Sequence, residues 1–516
     1  MNRQIHQVTA LVVVMFLALA ASLTSVQGLA RPALWQASSD QGTLITDSRN
    51  SRTVYSEFGT DRGQIMVKGT AVADSVKTDD AFSYQRTYPG GQLYAPATGY
   101  FSTAFASMTG LERAENSVLN GQDPALFSSR VKALITGETQ HGGAIELTID
   151  SSVQQAAWDA LDGRRGSVVA LDPSTGAILA MVSSPSYDPT QIASHDSATA
   201  QAAWDSLSAD EGKPLVNRAI GGDRYPPGST FKILTVAAAL RNGEADANTE
   251  MNAPDTLTLP GTTHSLSNYA NESCGNGRVT LAYAFAESCN TPFAQLAMDV
   301  GDKSLSEEAE AWGFDESESI PLEVTPSTYP DNDTQAETAM AGIGQASVRA
   351  TPLMMAQVAE TIANNGKQMK PYLVSQTLDS DLNVVSTTTP KEARTPISSK
   401  TAQTLSSLMQ QAVSEGTGSS AQVAGVSVAG KTGTAQVIGI RQNEKYDEAK
   451  VAHHFRDHSL YIGYAPAQNP RIALAMVVEN GGFGARTAAP LARRIFDFYL
   501  LGKRTPIPPA PVEATP

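Results

Sequence analysis

The sequence predicts an α/β domain whose main sheet is assembled from both chain ends around a helical middle. Three observations carry this. Apolar strand-like runs flank a strong turn signal within 166–189, and more runs of that kind return only at 423–478. Between them lie several long apolar helical segments. At 516 residues the chain is long enough for two or three domains, and 41% hydrophobic with 17% charged residues fits a folded protein. A net charge of −15 argues against nucleic acid, whose binding rests on neutralising phosphates with Lys and Arg. No cofactor is expected, and no metal.

The elements follow in order. Residues 8–29 open with an apolar run preceded by Arg3, about long enough to span a bilayer, which takes roughly 20 residues. A cleaved signal peptide is the alternative, but the small-residue pattern Ala18-Leu19-Ala20 falls inside the run rather than after it. The expectation is one transmembrane helix with residues 1–7 cytoplasmic and everything after 29 outside. Residues 30–140 are polar and turn-rich with short alternating stretches, a β-rich N-terminal domain. The main domain is expected over 141–503. A strand at 144–150 leads into a helix at 151–161, and a hairpin turns at Asp172-Pro173-Ser174-Thr175-Gly176. Helices are expected at 231–240, 281–287, 292–300 and 352–363. Strands are expected at 423–428, 431–439, 459–464 and 471–478, then a helix at 489–500. Residues 504–516 are a Pro-rich disordered tail.

Chemistry concentrates first at Tyr225-Pro226-Pro227-Gly228-Ser229-Thr230-Phe231-Lys232. Two prolines and a glycine force a tight turn, and Ser229 is placed to open an apolar helix. Ser229 and Lys232 stand three apart, so they share a helix face within hydrogen-bonding range. A serine hydroxyl needs a base to become a nucleophile, and a lysine buried in an apolar helix is shifted towards the neutral amine that can serve. Ser-x-x-Lys alone is common, and a capping serine beside a surface lysine is its bland alternative. Ser288-Cys289-Asn290 lies at a junction between two apolar helices, where a short polar loop can reach a cleft. Lys431-Thr432-Gly433-Thr434 stands in a strand, where glycine permits close approach and an exposed edge can pair with a peptide.

These three motifs, in this order, resemble the signatures of penicillin-binding proteins and serine β-lactamases. The likeness spans nearly the whole chain. GSVVALDPSTGAILAMVSSPSYDP, NRAIGGDRYPPGSTFKI, GVSVAGKTGTAQ and YIGYAPAQNPRIALAMVVEN resemble the transpeptidase domain of class B penicillin-binding proteins, and most of all their actinobacterial penicillin-binding protein A group. Asn50-Ser51-Arg52, Arg62-Gly63-Gln64-Ile65 and Gly110-Leu111-Glu112 resemble the N-terminal module of that class.

The resemblance implies an antiparallel sheet flanked by helices plus an all-helical subdomain, the serine β-lactamase/transpeptidase fold. It implies a peptidoglycan D,D-transpeptidase. Ser229 attacks the penultimate D-Ala carbonyl of a donor stem peptide, with Lys232 as base. Ser288 relays a proton, Asn290 holds Lys232 and the substrate amide, and Lys431 and Thr432 bind the substrate carboxylate. The N–H groups of Ser229 and Thr434 form the oxyanion hole, and Gly433 completes the strand motif. An amine of a neighbouring stem peptide then takes the acyl group. β-Lactams trap Ser229, and a polytopic membrane glycosyltransferase is the implied partner, since this chain carries no sugar-polymerising domain.

Among related activities, a β-lactamase of class A carries Ser-Asp-Asn and a deacylating glutamate loop, whereas this chain has Ser-Cys-Asn. A D,D-carboxypeptidase shares the acylation chemistry, and the class B likeness is what separates it. A β-lactam sensor or an inactive division scaffold are the non-enzymatic readings. The short leading tail argues against the first and three intact motifs against the second. His453, His454 and His458 form a histidine cluster without zincin spacing, expected to be a loop at the cleft mouth. Gly481-Gly482-Phe483-Gly484 is expected to be a turn. Cys274 and Cys289, both outside under this topology, are expected to form a disulfide that fixes the loop of Ser288 and Asn290; two separate buried thiols are the alternative.

Overall fold

The computed structural model describes residues 58–127, 141–436 and 456–503, with isolated positions at 15–16, 130–131 and 135. Apart from Met15 and Phe16, the apolar segment 8–29 lies outside the described residues, as do 50–52, His453, His454 and the tail 504–516. Among the described residues no helix is long and apolar enough to cross a membrane.

In chain order, β1 (Ile65–Val67), β2 (Thr70–Lys77) and β3 (Tyr84–Thr87) come first. They are followed by β4 (Ala144–Leu147), α1 (Ser151–Leu161), β5 (Gly166–Leu171) and β6 (Ile178–Ser184). The middle holds α2 (Lys232–Asn242), α3 (Leu281–Ala286), α4 (Thr291–Val300) and α5 (Pro352–Ala363). Then come β7 (Val374–Leu378), β8 (Val384–Thr387) and α6 (Ser399–Ser414), and finally β9 (Ala429–Ala435), β10 (His458–Ala465), β11 (Ile472–Val478) and α7 (Ala488–Leu501).

The main sheet has the order β9-β10-β11-β5-β6 and is antiparallel throughout. It joins the two chain ends as the strand-like runs predict. Both faces are covered, which is why its strands read as continuous apolar runs rather than alternating ones. In β11, Ile472, Leu474, Met476 and Val478 face the α1–α7 layer, while Ala473 and Ala475 face the core that holds α5. α1 starts where Asp150 accepts hydrogen bonds from Ser152 N and Val153 N. In the β5–β6 turn, Asp172 Oδ1 accepts from Ser174 N at 2.8 Å.

Four details differ from the expectations. The six-stranded second sheet, ordered β8-β7-β4-β1-β2-β3, straddles the 140/141 division: β4 pairs parallel with β1 and antiparallel with β7. The strand expected at 144–150 therefore belongs to this sheet and not to the main one. The N-terminal part is mixed rather than β-rich, because Gly91–Thr98, Gly110–Ala114 and Asn116–Leu119 are helices. The helical middle is not all-helical: polar alternating stretches such as Thr256–Thr258 and Ser265–Ser267 pair as two-stranded ladders. The strand expected at 423–428 reduces to one bridge, Val423 to Val426, since Gly425 turns the chain at φ +78°.

The N-terminal part has a buried ionic centre. Glu112 accepts from Arg62 Nε at 2.5 Å and Arg86 Nε at 2.6 Å, and all three are almost fully buried. Burial alone raises the Glu112 pKa, but Arg86 and Arg62 together hold it below the ordinary value.

Candidate active site

Pro226 and Pro227 lead into a 3-10 turn, Gly228–Thr230, and α2 begins only at Lys232. Ser229 thus lies one turn ahead of the helix it was expected to open. Gly228 has φ +53°, and a Cβ there would meet Thr434 O at 2.5 Å. Only glycine satisfies both the left-handed backbone and the close approach to β9. Behind it, Gly228 N donates to Gly344 O at 2.9 Å. Further back, the Tyr225 hydroxyl donates to Glu479 Oε1 at 2.8 Å, tying the approach to the end of β11.

Lys232 is fully buried. Its Nζ donates to Ser288 O at 2.8 Å, Cys289 O at 2.8 Å and Asn290 Oδ1 at 2.9 Å, and lies 5.3 Å from the Phe293 ring centre. Shared helix face predicted a bond to Ser229, yet among the described residues none joins Nζ to Ser229 Oγ. Three acceptors suit an ammonium, whereas burial, followed by repulsion from Lys431, pushes the pKa well below the usual lysine range. Burial in an apolar helix is a standing cost to the charge, so the balance is shifted towards the neutral amine.

Ser288 sits between α3 and α4 in a left-handed backbone, φ +59°, a conformation uncommon for a residue with a Cβ. Its Oγ accepts from Lys431 Nζ at 2.7 Å. Asn290 Nδ2 donates to Ser267 O at 3.1 Å, and Asn290 N donates to Asn268 Oδ1 at 2.7 Å. Cys274 and Cys289 are joined as a disulfide with a sequence separation of 15, pinning this junction to the loop ahead of it. Replacing both by serine is expected to lower unfolding stability by about 3 kcal/mol, from loop-closure entropy alone. Denaturant unfolding with and without reductant checks it; identical midpoints contradict it, as would two reactive thiols in unreduced protein.

β9 is the edge strand of the main sheet. Lys431 pairs with Ile462, Thr432 with Tyr461, Gly433 with Leu460 and Thr434 with Ser459. Lys431 is fully buried, and burial lowers its pKa to about 7, with Glu287 pulling the other way. A Cβ on Gly433 would press on Thr230 Cγ2 at 3.0 Å, so the strand lies against the serine's turn. Thr434 O accepts from Gln345 Nε2 at 3.2 Å, off the sheet. The N–H and C=O of one strand residue point to the same edge, so Thr434 N–H also faces away from β10. Two N–H groups, of Ser229 and Thr434, are then available beside the turn.

Several contributors were not found in the sequence. Thr417 holds two motif elements together: its Oγ1 lies 2.8 Å from Thr432 Oγ1, and its N donates to Ala286 O at 3.0 Å. Asn268 and Gln345 likewise come from loops with no periodicity or spacing to mark them, and Glu287 caps the end of α3 without a motif of its own. His458 opens β10 with its Nδ1 accepting from Asn480 N at 3.1 Å, and Gly481-Gly482-Phe483-Gly484 forms the turn before α7. Among the described residues no group of three His, Cys, Asp or Glu is placed to hold a metal ion. A hydroxyl, a buried amine, a second lysine and outward N–H groups in one cleft can carry acyl transfer through a serine ester.

A family model described as the penicillin-binding protein transpeptidase domain matches residues 166–497. The chain belongs to the penicillin-binding protein transpeptidase family. A second model, the penicillin-binding protein A dimerisation domain, matches residues 62–145 of this penicillin-binding protein. The peptidoglycan D,D-transpeptidase PbpA of Mycolicibacterium smegmatis is 43% identical over 505 residues, covering 96% of this chain and 98% of its own. The Mycobacterium tuberculosis PbpA is 41% identical over 474 residues, covering 89% and 93%. Among solved structures, penicillin-binding protein A of M. tuberculosis as its ceftriaxone acyl-enzyme matches with TM-score 0.80 and 42% identity, over 86% of this chain and all of that one. A D,D-transpeptidase domain from Eggerthella lenta matches with TM-score 0.73 and 33% identity, over 86% and 98%.

Proposed function

We propose that this chain is a peptidoglycan D,D-transpeptidase working through an acyl-enzyme at Ser229. The observation that carries the reading is the position of Lys232 Nζ: buried one helical turn after Ser229 and held by the Ser288–Asn290 junction, which Lys431 reaches from the facing strand.

Lys232, as the neutral amine, takes the Ser229 proton while Oγ attacks the penultimate D-Ala carbonyl. The Ser229 and Thr434 N–H groups receive the developing oxyanion. As the C–N bond breaks, the leaving D-Ala nitrogen takes a proton through Ser288, and Ser229 is left as an ester. Lys431, protonated, and Thr432 hold the substrate carboxylate, and Asn290 keeps Lys232 in place. The acceptor amine then attacks the ester, gives up its proton to the same base, and forms the cross-link while Ser229 is freed. β-Lactams enter by the acylation half alone. The apolar segment 8–29 would anchor the chain with residues 1–7 cytoplasmic and the catalytic domain outside. A polytopic glycosyltransferase of the wall machinery would supply the glycan strands.

The test is a full-chain reaction with a D-Ala-D-Ala stem peptide and an amine acceptor, read by mass spectrometry. The proposal expects an amide-linked product. D-Alanine release with only the hydrolysed peptide would make the chain a carboxypeptidase.

The two lysines set opposite pH limbs. Acylation needs Lys232 neutral, so it rises with pH through that group's lowered pKa. It needs Lys431 charged, so it falls as pH rises through about 7. In Lys431→Arg, whose guanidinium does not deprotonate in this range, the falling limb of kcat/KM is expected to vanish. An unchanged falling limb contradicts the assignment.

A further inference from the structure

Two arginines stand on either side of Thr328, at the far end of a ladder that begins at the turn of Ser229. Segments 224–228 and 344–350 run antiparallel, from the Gly228 N bond to Gly344 O at 2.9 Å out to Tyr225 N donating to Ala350 O at 3.0 Å. The near end of this ladder touches β9 through Gln345 and Thr434 O. Its far end carries Arg224 and Arg349. A third segment closes the group, since Thr328 exchanges both backbone hydrogen bonds with Arg349, at 2.7 and 3.0 Å.

The guanidinium groups are held by neutral oxygens. Arg224 Nη1 donates to Pro326 O at 2.7 Å and Thr328 Oγ1 at 3.3 Å, and its Nε is buried without a hydrogen-bond partner. Arg349 Nη1 donates to Ala346 O at 2.9 Å and Val348 O at 2.8 Å. Among the described residues neither arginine forms an ion pair, although the chain carries a net charge of −15. Thr328 touches both arginines, through its backbone to Arg349 and through its hydroxyl to Arg224; burial first, and then the charge of Arg224, lowers the Arg349 pKa. Asp315 Oδ2 accepts from Tyr329 N at 3.2 Å, and its pKa is raised by burial first and by the charge of Asp331, with the charge of Arg224 pulling the other way. Arg224 also has a left-handed backbone, φ +57°, which fixes where its side chain leaves the loop.

A peptide laid on the outer edge of β9, with its terminal carboxylate at Lys431 and its acyl carbonyl at Thr434, would pass Gln345, whose Nε2 donates to Thr434 O. Planar guanidinium forks with free N–H groups match a carboxylate. We propose that Arg224 and Arg349 form a subsite for a free carboxylate on the donor stem peptide, upstream of the D-alanine that acylates Ser229. This rests on the stem-peptide reading above.

The test uses the full chain and two donor peptides identical except that the upstream carboxylate is free in one and amidated in the other. Acylation is followed as D-alanine release without acceptor, and benzylpenicillin, which has no upstream peptide, is the control. Wild type is expected to favour the free carboxylate by about tenfold in kcat/KM, a preference typical of one charge-assisted contact. Arg349→Gln and Arg224→Gln reduce that preference to within about twofold, Arg349→Lys keeps part of it, and penicillin acylation stays within about twofold throughout. Equal rates for the two peptides in wild type overturn the subsite. So does a parallel loss of penicillin acylation in both Gln variants, or a preference that appears only once acceptor amine is added. If wild type is acylated by penicillin but releases D-alanine from neither peptide, the stem-peptide reading itself fails and the subsite with it.

Discussion

Ser229→Ala is expected to release D-alanine from a donor stem peptide at least about 10⁴-fold more slowly than wild type, the scale of losing a nucleophile from a site that acts as one assembly. The loss should be chemical and not structural. Ser229 precedes α2 in a turn shaped by Pro226, Pro227 and Gly228, and that turn is held by Gly228 N on Gly344 O and by Thr230 Oγ1 on Pro227 O at 2.6 Å. None of these contacts uses the Ser229 hydroxyl, so thermal unfolding of the variant should match wild type. Steady-state release assays beside a melting curve check both halves. A rate within tenfold of wild type would mean that another group carries the acyl transfer.

Lys232→Ala is expected to slow acylation by about 10²–10⁴-fold, the usual contribution of a positioned general base. It should also cost stability, because Ser288 O, Cys289 O and Asn290 Oδ1 all lose the donor they share. Unsatisfied buried acceptors cost about 1–3 kcal/mol each, less where water enters the space the side chain leaves. A structural role alone would lower the melting temperature without touching the pH profile. The base assignment requires in addition that the residual acylation lose its rising pH limb. A variant that retains the limb, however slow, removes Lys232 from the proton transfer.

Much of this site was legible in the sequence because its chemistry is carried by short motifs fastened to strong local signals. Pro226-Pro227-Gly228 marks a tight turn, an apolar helix marks a buried lysine, and apolar runs mark a sheet covered on both faces. What was not legible depends on contacts between distant segments. The sharing of Lys232 Nζ by three acceptors, rather than its bonding to Ser229, follows from how α3 and α4 meet, and helix periodicity carries no information on that. Thr417 and Gln345 sit in polar loops, and only their landing against Ala286 and Thr434 gives them a role. The strand at 144–150 shows the same limit: the sequence announces a strand but not which sheet takes it, and the partners Ile65 and Thr377 lie far away in sequence.

The central claim is that Ser229 is the residue acylated. Trypsin should cut after Arg224 and Lys232, releasing Tyr225–Lys232 as one peptide in which Ser229 and Thr230 are the aliphatic hydroxyls. After treatment of the full chain with benzylpenicillin, tandem mass spectrometry of this peptide is expected to place a stable penicilloyl group on Ser229. An unmodified peptide, or the adduct on any other residue, would contradict the account.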